Sequence, residues 1–482
     1  MSLFGEQLRA VIDANKVNIY HLAKTTGLER TAIHKIISGD RIPSDEYVYR
    51  LTDALQLSPE ERQRLLESFN ISKIGESKYW QRIQVKDLIE SIAYIENGIS
   101  SHADTESTAG SPPLDENSTV AIGHFAVNNL IKSVVEEAAS GEKQELNFVI
   151  PESYQFFYNE LLACYLSNPK LRIRHIVAFS KKVDFMNNRN GNLSLLSHVL
   201  PFAFAPGAGY FPYYYYRASS DVDLTQAMPF FILTSRERLV VLNKDFSRAG
   251  LICDAGIIAL YKESFSAMLE RAKPLINRLN STFDFYNHIT DIVGDTEMPE
   301  YWIEPTPCFS LLITGEIINE YLKPDVPDRE GLVKMLSNHC DFFRESKLHV
   351  VNICTTDGLY RVINSGYINN FPPELMDPLR RETMKDMLIS LINRIKDGEV
   401  KILFANPSMI AVPGKIQLII NRRSEINFLV YDNDSMDGHA ICLSEDSINE
   451  AFFDFAENIE GSGLVYSESD SLATLQSIID EL

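Results

Sequence analysis

The sequence has no long uninterrupted apolar run. None of its 482 residues lies in a stretch that approaches the roughly 20 apolar residues that a membrane-spanning helix needs. The first six residues, Met1-Ser2-Leu3-Phe4-Gly5-Glu6, show no basic region followed by an apolar core, so we expect no secretory signal. These two features predict a cytoplasmic protein with no membrane partner.

Cysteine is scarce, and no two cysteines form a Cys-x-x-Cys pair. The six are Cys164, Cys253, Cys308, Cys340, Cys354 and Cys442. In a long chain this scatter indicates reduced, mostly buried thiols rather than a disulfide framework or a zinc site. We therefore expect no metal and no cofactor. The sequence also lacks Gly-x-Ser-x-Gly, His-Glu-x-x-His and a phosphate-binding loop, so it offers no catalytic motif and predicts no enzyme.

Positive charge is in deficit, with a net charge of −21 over the whole chain. Residues 1–71 contain nine Lys or Arg and ten Asp or Glu, so nearly all of the negative charge lies in the rest of the chain. A neutral N-terminal segment attached to an acidic body can still bind DNA when its cations gather on one face. A length of 482 residues predicts about three domains.

The first seventy residues carry the pattern of five short amphipathic helices. Asn18 can cap the second helix, and Gly27 lies where a sharp turn is needed, because glycine adopts positive φ without steric cost. The third helix is expected from about Glu29 to Ile37, before Ser38-Gly39. Ser58-Pro59-Glu60-Glu61 predicts a capping box at the start of the fifth helix.

This segment resembles the repressor/Cro-like (XRE) helix-turn-helix family. The residues that carry the resemblance are Leu22-Ala23, Gly27, Ile33 and Ser38-Gly39. Asp40 departs from the pattern, since the family often has a basic residue there, and Arg41 can take its place. The resemblance covers about 15% of the chain, and it implies a double-stranded DNA operator as partner, bound by a dimer.

In that family the third helix lies in the major groove. The resemblance therefore assigns base contacts to the outward residues of this helix, which are Glu29, Arg30, Thr31, His34 and Lys35. It assigns phosphate contacts to Asn18, Ser38 and Arg41. The alternative is that these residues form only the solvated face of a small helical domain.

The remaining chain predicts an α/β body that follows a linker. Residues 72–98 have apolar positions at helical spacing, typical of core packing or of a dimer seam, and residues 100–118 are rich in Ser, Gly and Pro. We predict four segments: a helix-turn-helix domain (1–71), a linker helix and flexible linker (72–118), and two α/β sensor units (119–285 and 286–482). His124, His175 and His349 lie in apolar surroundings and are expected to be core histidines.

The two halves of the body have similar endings, which favours a duplicated α/β unit. Ile258–Phe265 parallels Ile441–Ile448, and each segment follows a strand that ends in asparagine, Asn243 or Asn421. The pattern resembles phospholipase-D-like domains, in which two such units flank one cleft. Catalytic members of that family need His-x-Lys in each unit. Neither half has this motif, so the resemblance is to an inactive, ligand-binding relative.

Residues 201–217 combine glycine, proline and aromatic residues at unusual density. We interpret them as a loop that lines a ligand pocket, through Tyr210, Tyr213 and Tyr215, or a partner surface. The alternative is a loop that packs onto the sheet. Together these patterns favour a transcription regulator whose body senses a small-molecule, peptide or protein effector. The alternatives are a DNA-binding head fused to an enzymatic or defence-effector domain, and an interaction protein that has lost DNA binding.

Overall fold

The computed structural model describes most of the chain. The described residues are 2–102, 114, 117–140, 143–180, 185–186, 189–205, 207–217, 230–279, 284, 288, 299–345, 349–368, 371, 373–422, 425–430 and 439–482. They divide into two compact units, one of Met1–Gln84 with Phe185–Arg189 and the other of Val85–Asp184 with Asn190–Leu482. We call the first the head and the second the body. The predicted flexible linker at 100–118 lies mostly outside the described residues.

The head contains the five predicted helices. They are α1 (Leu3–Ala14), α2 (Ile19–Thr26), α3 (Arg30–Ser38), α4 (Asp45–Leu55) and α5 (Pro59–Ile74). The predicted caps are confirmed: the Asn18 side chain accepts a hydrogen bond from the backbone N–H of Tyr20, and Ser58 forms a capping box with Glu61. Gly27 adopts φ of 71°, in the left-handed region that the turn between α2 and α3 requires.

Gly5 allows α1 to approach the end of α3 closely. A Cβ atom at Gly5 would lie 2.6 Å from the carbonyl oxygen of Ile37 and 2.7 Å from that of Ile36. Both distances are shorter than a van der Waals contact, and both oxygens belong to the backbone. The contact therefore fixes α3 against α1, in a core that also includes Phe4 and Ile33.

A long helix, α6 (Glu76–His102), begins in the residues of the head and continues in those of the body. Val85, Leu88, Ile89 and Ile92 are buried and belong to a core cluster of the body. Of the two interpretations of the apolar stripe in this segment, core packing applies to these four residues.

The body is built from two mixed sheets with helices on their faces. Its helices after α6 are α7 (His124–Ala139), α8 (Gln155–Ser167), α9 (Gly191–Phe204), α10 (Ala255–Arg271), α11 (Gly315–Tyr321), α12 (Arg329–Glu345), α13 (Thr356–Ser365), α14 (Arg381–Lys396), α15 (Asp446–Glu457) and α16 (Glu468–Glu481). The combination of a helical head and an α/β body confirms the predicted fold class.

The strands follow in chain order. They are β1 (Thr119–Ile122), β2 (Glu145–Val149), β3 (Arg172–Ser180), β4 (Phe185–Met186), β5 (Arg189–Asn190), β6 (Tyr210–Arg217), β7 (Phe230–Thr234), β8 (Leu239–Leu242), β9 (Arg248–Ile252), β10 (Lys273–Pro274), β11 (Ile276–Leu279), β12 (Glu300–Ile303), β13 (Val350–Cys354), β14 (Val400–Phe404), β15 (Ile416–Ile420), β16 (Ile426–Val430) and β17 (His439–Leu443). The first sheet has the order β1-β9-β8-β7-β2-β3-β6-β10, and the second has the order β11-β17-β16-β15-β12-β13-β14.

Apart from β10, which pairs with β6 at one edge of the first sheet, the two sheets repeat one topology. In each, three parallel strands (β2-β3-β6 and β12-β13-β14) are extended by an antiparallel meander and an edge strand. The pairing register repeats as well. One row of residues across the first sheet is Thr119, Leu251, Val240, Ile232, Phe148, His175 and Pro212. The matching row across the second is Asn277, Cys442, Asn427, Ile419, Trp302, Asn352 and Ile402.

The two sheets thus share a topology, but the residue pairing used to predict a duplicated unit was wrong. Ile258–Phe265 lies within α10, whereas the first residues of Ile441–Ile448 lie in β17. Leu251 and Cys442 are the better match, because each lies four residues before the helix that follows its strand. The similar residue runs after Asn243 and Asn421 therefore pair a helix with a strand.

The aromatic run at 201–217 is not a loop. Its first residues end α9, which contains Pro201, and Tyr210–Arg217 forms β6, paired with β3 over eight residues. Proline and glycine are typical of loops. However, Pro212 is tolerated in β6, and the tyrosines have the high strand propensity of aromatic residues. Successive side chains of β6 therefore point to opposite faces of the sheet.

Candidate functional site

The outward face of α3 gathers the predicted base-reading residues. Its buried stripe consists of Ala32, Ile33, Ile36 and Ile37. The positions between them are exposed, which places Arg30, Thr31, His34 and Lys35 together on one side of a nine-residue helix. The side chains that the sequence assigned to DNA bases thus share one accessible surface, as a major-groove helix needs.

The start of α3 is open to an anionic partner. Glu29, the residue before the helix, makes no side-chain cap hydrogen bond, and its carboxylate instead accepts a hydrogen bond from the Thr31 hydroxyl at 3.3 Å. The first backbone N–H groups of a helix without such a cap carry partial positive charge and suit a phosphate oxygen. Glu29 is itself exposed.

The three predicted phosphate contacts are exposed but differ in their surroundings. Asn18 caps α2 through its side-chain oxygen, which leaves its NH₂ group available. The Arg41 guanidinium lies 5.9 Å from the centre of the Tyr47 ring, a cation–π contact. Ser38 lies 2.6 Å from a carboxylate oxygen of Asp40, so the residue that departs from the family pattern is bonded directly to a predicted phosphate contact.

The charges of the head are segregated. The acidic side chains of α4 form ion pairs: Asp45 with Lys73, Glu46 with Arg50 and Asp53 with Arg62. In contrast, Arg30 and Lys35 form no ion pair with any residue that the structure describes. Residues 18–41 contain four Lys or Arg and two Asp or Glu, a local excess of positive charge in a neutral head.

The body contains a second candidate, a cavity of about 340 Å³. It is lined by Tyr214, Tyr216, Lys273, Pro274, Asn277, Ser444 and Asp446. These residues come from the end of β6, from β10 and β11, and from the start of α15. The lining carries one cation and one carboxylate, and its volume lies at the small end of the range for ligand pockets.

Hydrogen bonds fix the tyrosines of this cavity. Tyr216 donates to Glu445 at 2.5 Å, and Tyr214 donates to the carbonyl oxygen of Ser444 at 3.1 Å. Burial and the hydrogen bond to Glu445 raise the pKa of Tyr216 well above its ordinary value. Glu445 is itself buried and caps α15 through the backbone N–H of Ile448. The two rings are therefore held in place before any ligand arrives.

The tyrosines predicted to bind a ligand lie elsewhere. Tyr210 is partly buried, packs against the core of the first sheet and hydrogen-bonds to Nδ1 of His175 at 2.9 Å. Tyr213 and Tyr215 pack in the cluster that joins the sheet to α10. Because side chains alternate along a strand, Tyr214 and Tyr216 face the cavity and the predicted pair faces α10. Their predicted role in ligand binding stays a prediction.

Buried ionisable groups mark the middle of each sheet. His175 is in the core as predicted, but His124 and His349 are exposed, which corrects the prediction for those two. Burial lowers the pKa of His175 to about 3. In the second sheet, burial raises the pKa of Glu304 to about 8, although a hydrogen bond from Asn352 at 2.7 Å favours its charged form.

The structure brings together a polar cluster beside the second sheet that the sequence does not predict. Nε2 of His288 lies 2.5 Å from a carboxylate oxygen of Glu425 and 3.5 Å from Sγ of Cys442. Burial and the nearby Glu425 carboxylate raise the pKa of the Cys442 thiol. The three residues are far apart in the sequence and share no motif. The one local signal is the alternation of polar and apolar residues in 425–428, which places Glu425 and Asn427 on the same face of a strand.

Comparison with known proteins identifies the head. Residues 8–62 match the family described as Helix-turn-helix (HTH_3). The head is thus a helix-turn-helix domain of the XRE type, a class of DNA-binding domain. In agreement with the sequence analysis, this match accounts for the N-terminal part of the chain only.

Two solved structures are similar to larger parts of the chain. The archaeal chromatin protein TrmBL2, described as showing a novel mode of DNA binding, is 13% identical, with a TM-score of 0.23, over 44% of this chain and 70% of that one. Phosphatidylserine synthase from Haemophilus influenzae Rd KW20 is 10% identical, with a TM-score of 0.25, over 80% of this chain and 97% of that one. No curated protein matches the sequence. No described helix is long and apolar enough to cross a membrane.

Proposed function

We propose that this protein is a sequence-specific transcription regulator that binds an operator through α3 and an effector through its body. The observation that carries the proposal is the exposed face of α3, where Arg30 and Lys35 stand beside Thr31 and His34. Arginine and lysine donate to guanine, and threonine packs against the thymine methyl group. These two cations form no ion pair with a described residue, whereas the acidic residues of α4 are paired, so Arg30 and Lys35 are available to an anionic partner.

Specific recognition needs two heads. A helix of nine residues reaches only a few base pairs, too few to select one site in a genome. A homodimer would read two half-sites one helical turn of DNA apart, about 34–36 Å, or a multiple of that distance. The acidic body would be repelled by DNA, which would limit contact to the heads.

Effector binding is assigned to the cavity beside Tyr214 and Tyr216. Two preorganised aromatic rings, Lys273 and Asp446 can recognise a small polar molecule without a large rearrangement. The absence of His-x-Lys from both halves supports a binding role rather than hydrolysis of a phosphodiester. We place the protein in the cytoplasm, where an operator and metabolites are both accessible.

Selection from random DNA sequences with the full-length protein tests this function. Recovery of a pseudo-palindromic consensus, bound at fixed salt at least a thousandfold more tightly than shuffled DNA, is expected for a specific regulator. Light scattering of the complex should give the mass of two chains per site. Enrichment of no sequence would overturn the proposal, and the same outcome would favour the interaction protein that has lost DNA binding.

A further inference from the structure

A group of three side chains of metal-ligating type lies beside β16 and β17 of the second sheet, and it adjoins the cavity described above through Ser444, which lines that cavity and donates to Glu425. Nε2 of His288, a carboxylate oxygen of Glu425 and Sγ of Cys442 all lie within 4.8 Å of one another. Cys442 is 1% exposed and Glu425 is 9% exposed, whereas the His288 side chain retains 27% of its exposure. The carboxylate and the thiol are thus sheltered, and the histidine is the most exposed of the three.

We propose that His288, Glu425 and Cys442 bind one divalent transition-metal ion of the zinc type. Imidazole nitrogen, carboxylate oxygen and thiolate sulfur are the three donor classes found in zinc sites. A site with sulfur and nitrogen donors discriminates against magnesium and calcium, which prefer oxygen ligands.

The spacing of the donors suits a tetrahedral ion. With bonds of about 2.0 Å to nitrogen and about 2.3 Å to sulfur, two tetrahedral ligands lie about 3.5 Å apart. The distance between His288 and Cys442 is 3.5 Å. His288 and Glu425 are closer, at 2.5 Å, because they share a hydrogen bond that the ion would replace. The other carboxylate oxygen of Glu425 accepts a hydrogen bond from the Ser444 hydroxyl at 2.6 Å, which fixes its orientation.

A second observation points to the same place. Asn427 is paired with Cys442 across β16 and β17, so the two side chains lie on one face of the sheet. Asn427 is fully buried, and its Oδ1 accepts no hydrogen bond from any described residue. Buried amide oxygens are normally paired. An ion held by Cys442 would give this oxygen a partner.

The duplicated sheet shows that the fold does not require these polar residues. The positions equivalent to Cys442 and Asn427 in the first sheet are Leu251 and Val240, which pack in an apolar core. The same backbone is therefore stable with hydrocarbon side chains there. Burying polar groups instead costs free energy unless they are satisfied, and a bound ion would satisfy them.

Cobalt(II) binding to the full-length, chelator-treated protein tests the proposal. One Co²⁺ per chain is expected, with the near-ultraviolet absorption of a cobalt–thiolate bond and the visible bands of a tetrahedral ion. Cys442→Ser should abolish the thiolate band, and His288→Ala should weaken binding at least tenfold. Cys253→Ser, which alters a thiol just after β9 of the first sheet, should leave the spectrum unchanged.

Two results would overturn the proposal: no thiolate band in the wild-type protein, or a band that survives in Cys442→Ser. If either variant at the site fails to fold, X-ray absorption of the zinc-loaded wild-type protein decides. One sulfur at about 2.3 Å with nitrogen and oxygen at about 2.0–2.2 Å supports the site. A shell of nitrogen and oxygen alone rejects it, and the cluster is then only a hydrogen-bonded network.

Discussion

His175 and Asn352 occupy the same position in the two sheets of the body. Each is fully buried on the middle one of three parallel strands, beside a large aromatic residue on the neighbouring strand, Phe148 or Trp302. His175 hydrogen-bonds to two tyrosine hydroxyls, whereas Asn352 donates to the carboxylate of Glu304. The same position of the sheet thus holds a neutral histidine in the first sheet, and in the second an asparagine that contacts a buried carboxyl group.

The buried Glu304 should make the stability of the body fall as pH rises. Its pKa is raised from 4.5 to about 8, so between these values the folded state holds a proton that the unfolded state has lost. In that window unfolding is favoured by increasing pH. Glu304→Gln, which cannot ionise, should remove this dependence, and its stability relative to wild type should increase from about pH 5 to about pH 8.

Denaturant unfolding followed by Trp302 fluorescence measures the effect on the body. The chain has two tryptophans, so a Trp80→Phe background isolates the signal. The exposed Glu330→Gln is the matched control for loss of a carboxylate. A difference between Glu304→Gln and wild type that is the same at every pH would show that Glu304 does not hold the extra proton.

Substitutions on α3 should weaken operator binding. Arg30→Ala or Lys35→Ala is expected to cost about 1–3 kcal/mol if the side chain contacts a base edge through two hydrogen bonds, and to relax specificity at one position. A lysine on phosphate would instead lower affinity evenly and reduce the salt dependence. Arg62→Ala, in an ion pair with Asp53 on α4 and α5, is the control and should bind normally. Binding isotherms at fixed salt measure the affinity of the α3 variants and of the control. Wild-type affinity in both α3 variants would show that this helix is not part of the DNA interface.

The two faces of β6 give different predictions for effector binding. A screen of metabolites should find ligands that raise the melting temperature of the full-length protein. Tyr216→Phe removes the hydroxyl beside Glu445 and should reduce that increase, whereas Tyr213→Phe, on the α10 side, should not. The opposite result would place the ligand site at Tyr213 and Tyr215, as predicted from the sequence. If the ligand raises the melting temperature of both variants as much as that of the wild-type protein, neither face of β6 is the ligand site.

The buried stripe of α6 predicts where the body can be cut. A chain of residues 119–482 lacks Val85, Leu88, Ile89 and Ile92, and each fully buried side chain of this type contributes about 1.5–3 kcal/mol. A chain of residues 85–482 keeps them and should melt at a clearly higher temperature. Equal melting temperatures would mean that the body core does not depend on this helix, and would favour the boundary at 119 predicted from the linker composition.

The sequence determined the head almost completely. Helix caps, apolar spacing and the turn at Gly27 are local signals, since each acts between residues a few positions apart. The exposed side of α3 follows from the same spacing, because the helical period decides which residues are buried. Family resemblance and physical pattern therefore agreed on residues such as Arg30 and Lys35.

Only the tertiary structure decided the sites of the body. Whether Tyr213 or Tyr214 faces a cavity depends on which side of β6 is covered by α10, and a shift of one residue reverses the answer. Glu425 and Cys442 lie close together because β16 and β17 are neighbours in the second sheet, and His288 contacts both although 137 residues separate it from Glu425. Such contacts arise from strand pairing across long stretches of chain, which the local pattern of a single sequence does not specify.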